Sequence, residues 1–176
     1  MPRTSPIAGG KIEKATLIHQ PSNPSKDIEF LFNPTELSFS RSIRVNEEGG
    51  ARTEKGYPKI SFAYPEPRSL TISNLILDTS ETEESVMPDL QKILAALEFA
   101  TSGDAKGKRP PIYVFAWGTQ NYMRCFVESV AYRLTLFLQD GTPVRAQADL
   151  TLKEVDGAIV GKRTAAQPNR QQSSRW

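Results

Sequence analysis

Val144-Arg-Ala-Gln-Ala-Asp-Leu-Thr-Leu152 is the stretch whose reading decides the fold. Val144, Ala146, Ala148, Leu150 and Leu152 alternate with Arg145, Gln147, Asp149, Thr151 and Lys153. A period of two sends one row of side chains into a core and the other toward water or a partner. Just before it, Gln139-Asp-Gly-Thr142 has the chemistry of a hairpin turn. Residues 122–138 read as strand throughout, roughly three times the usual strand length, so this segment must bend, bulge or serve two sheets in turn. Further upstream, Pro110 and Pro111 deliver the chain in extended form to Ile112–Trp117, which is apolar without interruption, as suits a short strand buried on both faces.

The N-terminal half repeats the theme more weakly. Residues 12–19 predict a first strand, closed by Pro21, Asn23 and Pro24, and residues 27–32 a second, ended by Asn33-Pro34. Leu37, Phe39, Ile43 and Val45 alternate with serines and Arg44 in a third strand, broken at Arg41. Residues 46–57, with Glu47, Glu48, two glycines, Arg52 and Lys55, have no apolar period and predict a long projecting loop whose work is contact with a neighbour. A short strand over 58–62 and a fuller one over 68–77 follow.

One helix stands out. Val86, Leu90, Ile93, Leu94 and Leu97, with Thr101, follow helical spacing behind Ser85 as N-cap, Pro88 in the first turn and Gly103 as the stop. Such a helix, of about 16 residues, would be marginal alone in water and must cover a sheet.

Composition narrows the class. The chain has 176 residues, 38% of them hydrophobic and 24% charged, which suits one domain over 12–155 between a flexible N-terminus (1–11) and a disordered tail or linker (156–176). Net charge is +2, with basic and acidic residues intermingled up to the tail, and this gives no footing to nucleic acid. There is no apolar run long enough for a membrane span and no signal-peptide core, so assembly is expected in the cytoplasm.

Catalytic chemistry has few candidates. His19 is the sole histidine and Cys125 the sole cysteine, so neither a metal pair nor a nucleophilic triad has its members. Solvation at a strand end is the commoner fate for His19, and inert burial for Cys125. Asp78, Glu81, Glu83 and Glu84 lack the spacing of a calcium loop and read as acids favouring a helix N-terminus. A hydrolase built on Asp78 and Glu81 is the remote enzymatic alternative. Tyr113, Phe115 and Trp117 lack the basic stripe that base-stacking would need and read as core. No glycine-rich phosphate loop occurs, and no cofactor is expected.

Taken in order, Phe32-Asn-Pro34, Gly56-Tyr-Pro-Lys-Ile-Ser-Phe62, Leu77-Asp-Thr79, Arg109-Pro-Pro111, Phe115-Ala-Trp-Gly118, Leu136-Phe137 and Asp140-Gly-Thr-Pro-Val-Arg-Ala146 resemble the N-terminal domain of contractile injection system tube proteins, over roughly residues 14–155. These are tube-initiating or baseplate-adaptor subunits of phage-tail-like particles, in which a LysM module often follows. The resemblance implies a mainly β fold: an antiparallel barrel or two-sheet sandwich with one flanking helix. It also implies a non-enzymatic subunit in a six-membered ring, with inner-tube subunits, spike or hub and baseplate wedge proteins as partners. In such a ring Arg145, Gln147, Asp149, Thr151 and Lys153 would form a lumen or ring-contact face, and Glu47, Glu48, Arg52 and Lys55 a contact on the projecting segment. With no LysM module before Trp176, the chain is expected to be a short form or a fragment. A small ligand-binding β-barrel, monomeric with a closed apolar cavity, is the alternative.

Overall fold

A computed structural model of the chain describes residues 12–101 and 106–156. Its strands are β1 (Ala15–Gln20), β2 (Ile28–Glu29), β3 (Ser38–Ser40), β4 (Ile43–Arg52), β5 (Pro58–Pro65), β6 (Ser69–Asp78), β7 (Ile112–Trp117), β8 (Gln120–Phe137) and β9 (Pro143–Glu154), with one helix, α1 (Met87–Ala95). Seven strands form one sheet in the order β2-β1-β7-β8-β9-β6-β3, every neighbour antiparallel. β4 and β5 form a separate two-stranded ribbon. The mainly β fold with one helix is therefore what the chain adopts.

β9 is the middle of the packing, paired with β8 on one side and β6 on the other. Val144, Ala146, Ala148, Leu150 and Leu152 are all buried, so its alternation is realised residue for residue. They share the core face with Leu70, Ile72, Leu75 and Leu77 of β6, Phe115 of β7, and Met123, Cys125 and Val127 of β8. α1 covers that face with Leu90 and Ile93, and Val86 ahead of it is anchored by its N–H to the Pro143 carbonyl at 2.9 Å. On the opposite face of β1 and β7, Ile18, Val114 and Ala116 form a second small buried cluster, which is why β7 reads as apolar throughout.

The sheet curls. Phe39 of β3 stacks on Tyr122 of β8 at 6.0 Å between ring centres, and Tyr122 in turn meets Phe115 at 5.6 Å. In a flat sheet strands three places apart lie about 14 Å from one another, so this contact requires strong coiling of the β3 edge toward β8. A bulge helps β6 to bend between Ile72 and Leu75, where Asn74 takes a φ of +55° and donates its N–H to Asp149 at 2.7 Å.

Three expectations need correcting. Residues 46–52 are strand, and only 53–57 form the turn, closed by Thr53 N–H to Tyr57 O at 2.8 Å and Gly56 N–H to Thr53 O at 2.8 Å with Gly56 at φ +81°. Between Asn46 and Arg52, Ala51 is the one apolar side chain, so there is no alternation to read and the sequence looks like loop. The helix has nine residues and no side-chain cap bond, although the Ser85 hydroxyl accepts from Met87 N–H at 3.3 Å. It ends early because residues 96–98 tighten into i→i−3 bonds and Ala100 N–H turns to Arg109 O at 3.0 Å, feeding β7. The second strand is two residues long rather than six. The expected flexible ends, 1–11 and 157–176, lie outside the described residues.

The two faces of β9 predict opposite mutational responses. Leu150→Ala should cost about 2–5 kcal/mol in urea unfolding by opening a core cavity, while Thr151→Val on the outer face should stay within about 1 kcal/mol.

Candidate assembly interface

The residues that might have carried chemistry are occupied structurally. Cys125 is fully buried, and burial pushes its thiol up to about 12. His19 sits at the end of β1, its Nδ1 2.9 Å from the Pro21 carbonyl and its ring edge-on to Tyr113 at 5.6 Å. Asp78 is held down to about 2, first by the Ser80 hydroxyl and backbone N–H and then by Arg145, whose Nε lies 2.7 Å from Oδ2. A carboxyl so placed is ionised at neutral pH and paired with Arg145. Among the described residues no three His, Cys, Asp or Glu side chains are grouped to hold a metal, and no helix is long and apolar enough to cross a membrane. A cleft of about 870 Å³ lies at the sheet end between the β1–β2 connection and the end of α1; its lining mixes His19, Lys26, Asp27 and Arg109 with Ile28 and Phe99.

What the fold does present is surface of three kinds. The first is the outer face of β9, where Arg145, Gln147, Asp149, Thr151 and Lys153 all point away from the core. Four of the five are tied to neighbours: Arg145 to Asp78, Gln147 to Arg133 at 2.7 Å, Asp149 to the Asn74 N–H, and Lys153 to Glu128 at 3.0 Å. This lacing makes a stiff, mixed-charge polar surface in which each cation has an acceptor.

The second is an unfinished edge. β7 pairs with β8 only from Gln120 to Cys125, whereas β9 accompanies β8 from Cys125 to Phe137. From Phe126 onward one side of β8 has no strand partner among the described residues. Val130, Tyr132 and Leu134 stand opposite Leu150, Ala148 and Ala146 and so face the core side, yet Tyr132 is 47% exposed; beyond them, at the bulged end of the strand, Phe137 is 52% exposed. A long bare edge flanked by exposed apolar side chains is a template for pairing with another chain.

The third is the β4–β5 ribbon. It carries Glu47, Glu48 and Arg52 on β4 and Lys55 in its turn, so the structure puts these on a different sheet from the β9 face. Arg52 is spent locally, its guanidinium donating to Gly56 O at 2.9 Å. The prominent feature here is apolar: Ile60, Phe62 and Tyr64 of β5 are all exposed, Phe62 at 77%, with Val45 opposite Phe62 and a register shift that sets Tyr64 opposite Arg44 instead. At its base Glu66 joins both connections, through Ser42 Oγ at 2.9 Å and Arg44 at 3.6 Å, while Arg68 makes a two-pronged pair with Glu154.

Sequence reasoning missed the apolar members of the second and third surfaces. The excessive length of the 122–138 segment was their one signal, because a strand that outlasts its neighbour leaves an edge.

The bare strand edge and the separate ribbon are the surfaces that the described residues offer to another chain. The family model for contractile injection system tube proteins matches residues 11–159, and the chain belongs to that family. No curated protein matches it.

The hydrogen-bonded Asp78 carboxylate predicts a pH signature. Because the folded-state value of Asp78 lies below the usual 3.8, held there by Ser80 first and Arg145 second, the ionised carboxylate stabilises the fold above that value and the contribution fades as pH falls toward about 2. Asp78→Asn should therefore lower the urea midpoint at pH 7, and the gap from the parent should close on acidification.

Proposed function

We propose that the chain is a structural subunit forming a six-membered ring at the junction of spike, baseplate and inner tube, where it starts the tube and adapts it to the hub below. The family supports the tube role, and the bare edge of β8 from Phe126 to Phe137 is the observation that carries ring formation. A closed ring needs two different patches per subunit; an edge that continues its ladder into the next copy supplies one. The partners on this reading are further copies of the chain, inner-tube subunits, and spike, hub and wedge proteins, and the ring is assembled in the cytoplasm into the particle. Its work is geometric. The polar β9 face, with Arg145, Gln147, Asp149, Thr151 and Lys153, lines the lumen or a ring contact, where alternating charges held by neighbours present a hydrated wall.

The test is the mass of the purified chain over a concentration series, alone and with a candidate inner-tube subunit, beside the double variant Tyr132→Lys, Leu136→Lys. The parent should reach closed species near six copies. The variant, altered only on the edge strand, should keep its strand spectrum and remain small. A parent that stays monomeric in both settings, or a variant that assembles like the parent, overturns the proposal.

A further inference from the structure

An antiparallel sheet with a helix on one face leaves its other face to water unless a further layer lies about 10 Å above it. On the face away from α1, the side chains of β1 and β7 are nevertheless buried: Thr16, Ile18 and Gln20 on β1, and Ile112, Val114 and Ala116 on β7, with Val114 at 0% exposure. The burial is local. On the same side of the sheet, Arg145, Gln147, Asp149, Thr151 and Lys153 of β9 are exposed or half-buried.

Among the described residues no element accounts for this cover. α1 packs on the opposite face. The 21–27 turn and the 100–109 connection close around His19 and Tyr113, which point to the helix side. Ile18, Val114 and Ala116 make a cluster of three with no further buried apolar side chain described over them. A layer is therefore supplied by chain outside the described residues.

The course of the chain after β9 says which part. Arg124 stands opposite Val114 in the β7–β8 ladder and so shares its face, and the Arg124 guanidinium donates to the Asp156 carbonyl at 2.5 Å. Asp156 is thus held one strand from Val114 and two strands, about 10 Å, from Ile18. Four extended residues span about 13 Å. The four that follow are Gly157, Ala158, Ile159 and Val160, an apolar run ahead of Gly161-Lys-Arg163. The family match also continues past Asp156, to residue 159. The other end of the chain is aimed elsewhere: the Glu13 carbonyl is held by Asn33 and by the Trp117 indole, whose ring packs on the helix side, and Ile12 is 75% exposed.

We infer that residues 157–160 cross the outer face of β7 and β1 and are the layer that buries Ile18, Val114 and Ala116. On this assignment the linker starts after Val160, above β1, and the polar face of β9 stays open. The assignment stands without the ring reading.

Thiol labelling reads the cover directly. Val114→Cys should react with a maleimide equally slowly in the full chain and in a chain ending at Val160, and at least tenfold faster in a chain ending at Asp156. The native Cys125, buried on the helix side, should stay unlabelled in all three, which reports that the sheet is still folded. Slow labelling in the chain ending at Asp156, fast labelling in the full chain or in the chain ending at Val160, or acceleration only on removing residues 1–11 overturns the inference. If Cys125 becomes reactive in the shortest chain, oxidation of full-length double variants decides instead. Ile18→Cys with Val160→Cys should close a disulfide at least tenfold more than Ile18→Cys with Ile7→Cys, and equal yields overturn the inference.

Discussion

The structure depends on a mismatch of strand length. β8 is 18 residues long and β7 is six, so β7 leaves β8 at Cys125 while β9 stays with it to Phe137. Backbone N–H and C=O groups lose free energy when left without partners, and one side of a ladder of this length cannot be ignored energetically. In an isolated chain water serves the edge. On the proposed ring reading another strand takes that place. The same long strand bends through register shifts near Val127, Leu134 and Leu136, which curls the sheet and brings Phe39 onto Tyr122.

Burial and exposure divide the molecule into a part that is finished and a part that is not. β1, β7, β9, β6 and α1 close a core of aliphatic and aromatic side chains with no buried side-chain polar atom left unpaired among the described residues. The ribbon and the far half of β8 have the composition of strands but not their burial. On the proposed ring reading, the rigid body fixes curvature and the edges gain their stability from the neighbour. The ion pairs follow the same division, Asp78–Arg145 and Arg68–Glu154 fastening β6 to β9 at its two ends, and Glu66 fastening the two connections of the ribbon to each other.

Much of the finished part was legible in the sequence. Val144–Leu152 shows its two faces by period alone, and Ile112–Trp117 shows burial on both sides by having no period. The break at Arg41 was visible as well, because the alternation of Leu37–Val45 fails there. The unfinished part was harder to read for a physical reason: sequence patterns record burial within one chain. Residues 46–52 carry no alternating apolar row and so resembled a loop, and the helix seemed longer than nine residues because its end is set by a distant bond from Ala100 to Arg109. The outward direction of Arg145, Gln147, Asp149, Thr151 and Lys153 could be read from alternation, but not the partners that lace them, since Asp78 is 67 positions from Arg145. Tyr132, Phe137, Phe62 and Tyr64 could not be told from core residues, because exposure of an apolar strand residue leaves no mark in the sequence.

The central claim is that the β8 edge is completed by a neighbour. Amide hydrogen exchange, resolved over residues 126–137 in the free chain and in the assembled particle, reads it most directly. The account predicts fast exchange at alternate amides along the bare edge in the free chain and strong protection of those same amides on assembly, with the β9 amides protected throughout. Equal protection of the edge in both states, or an edge still exchanging freely in the particle, would contradict it.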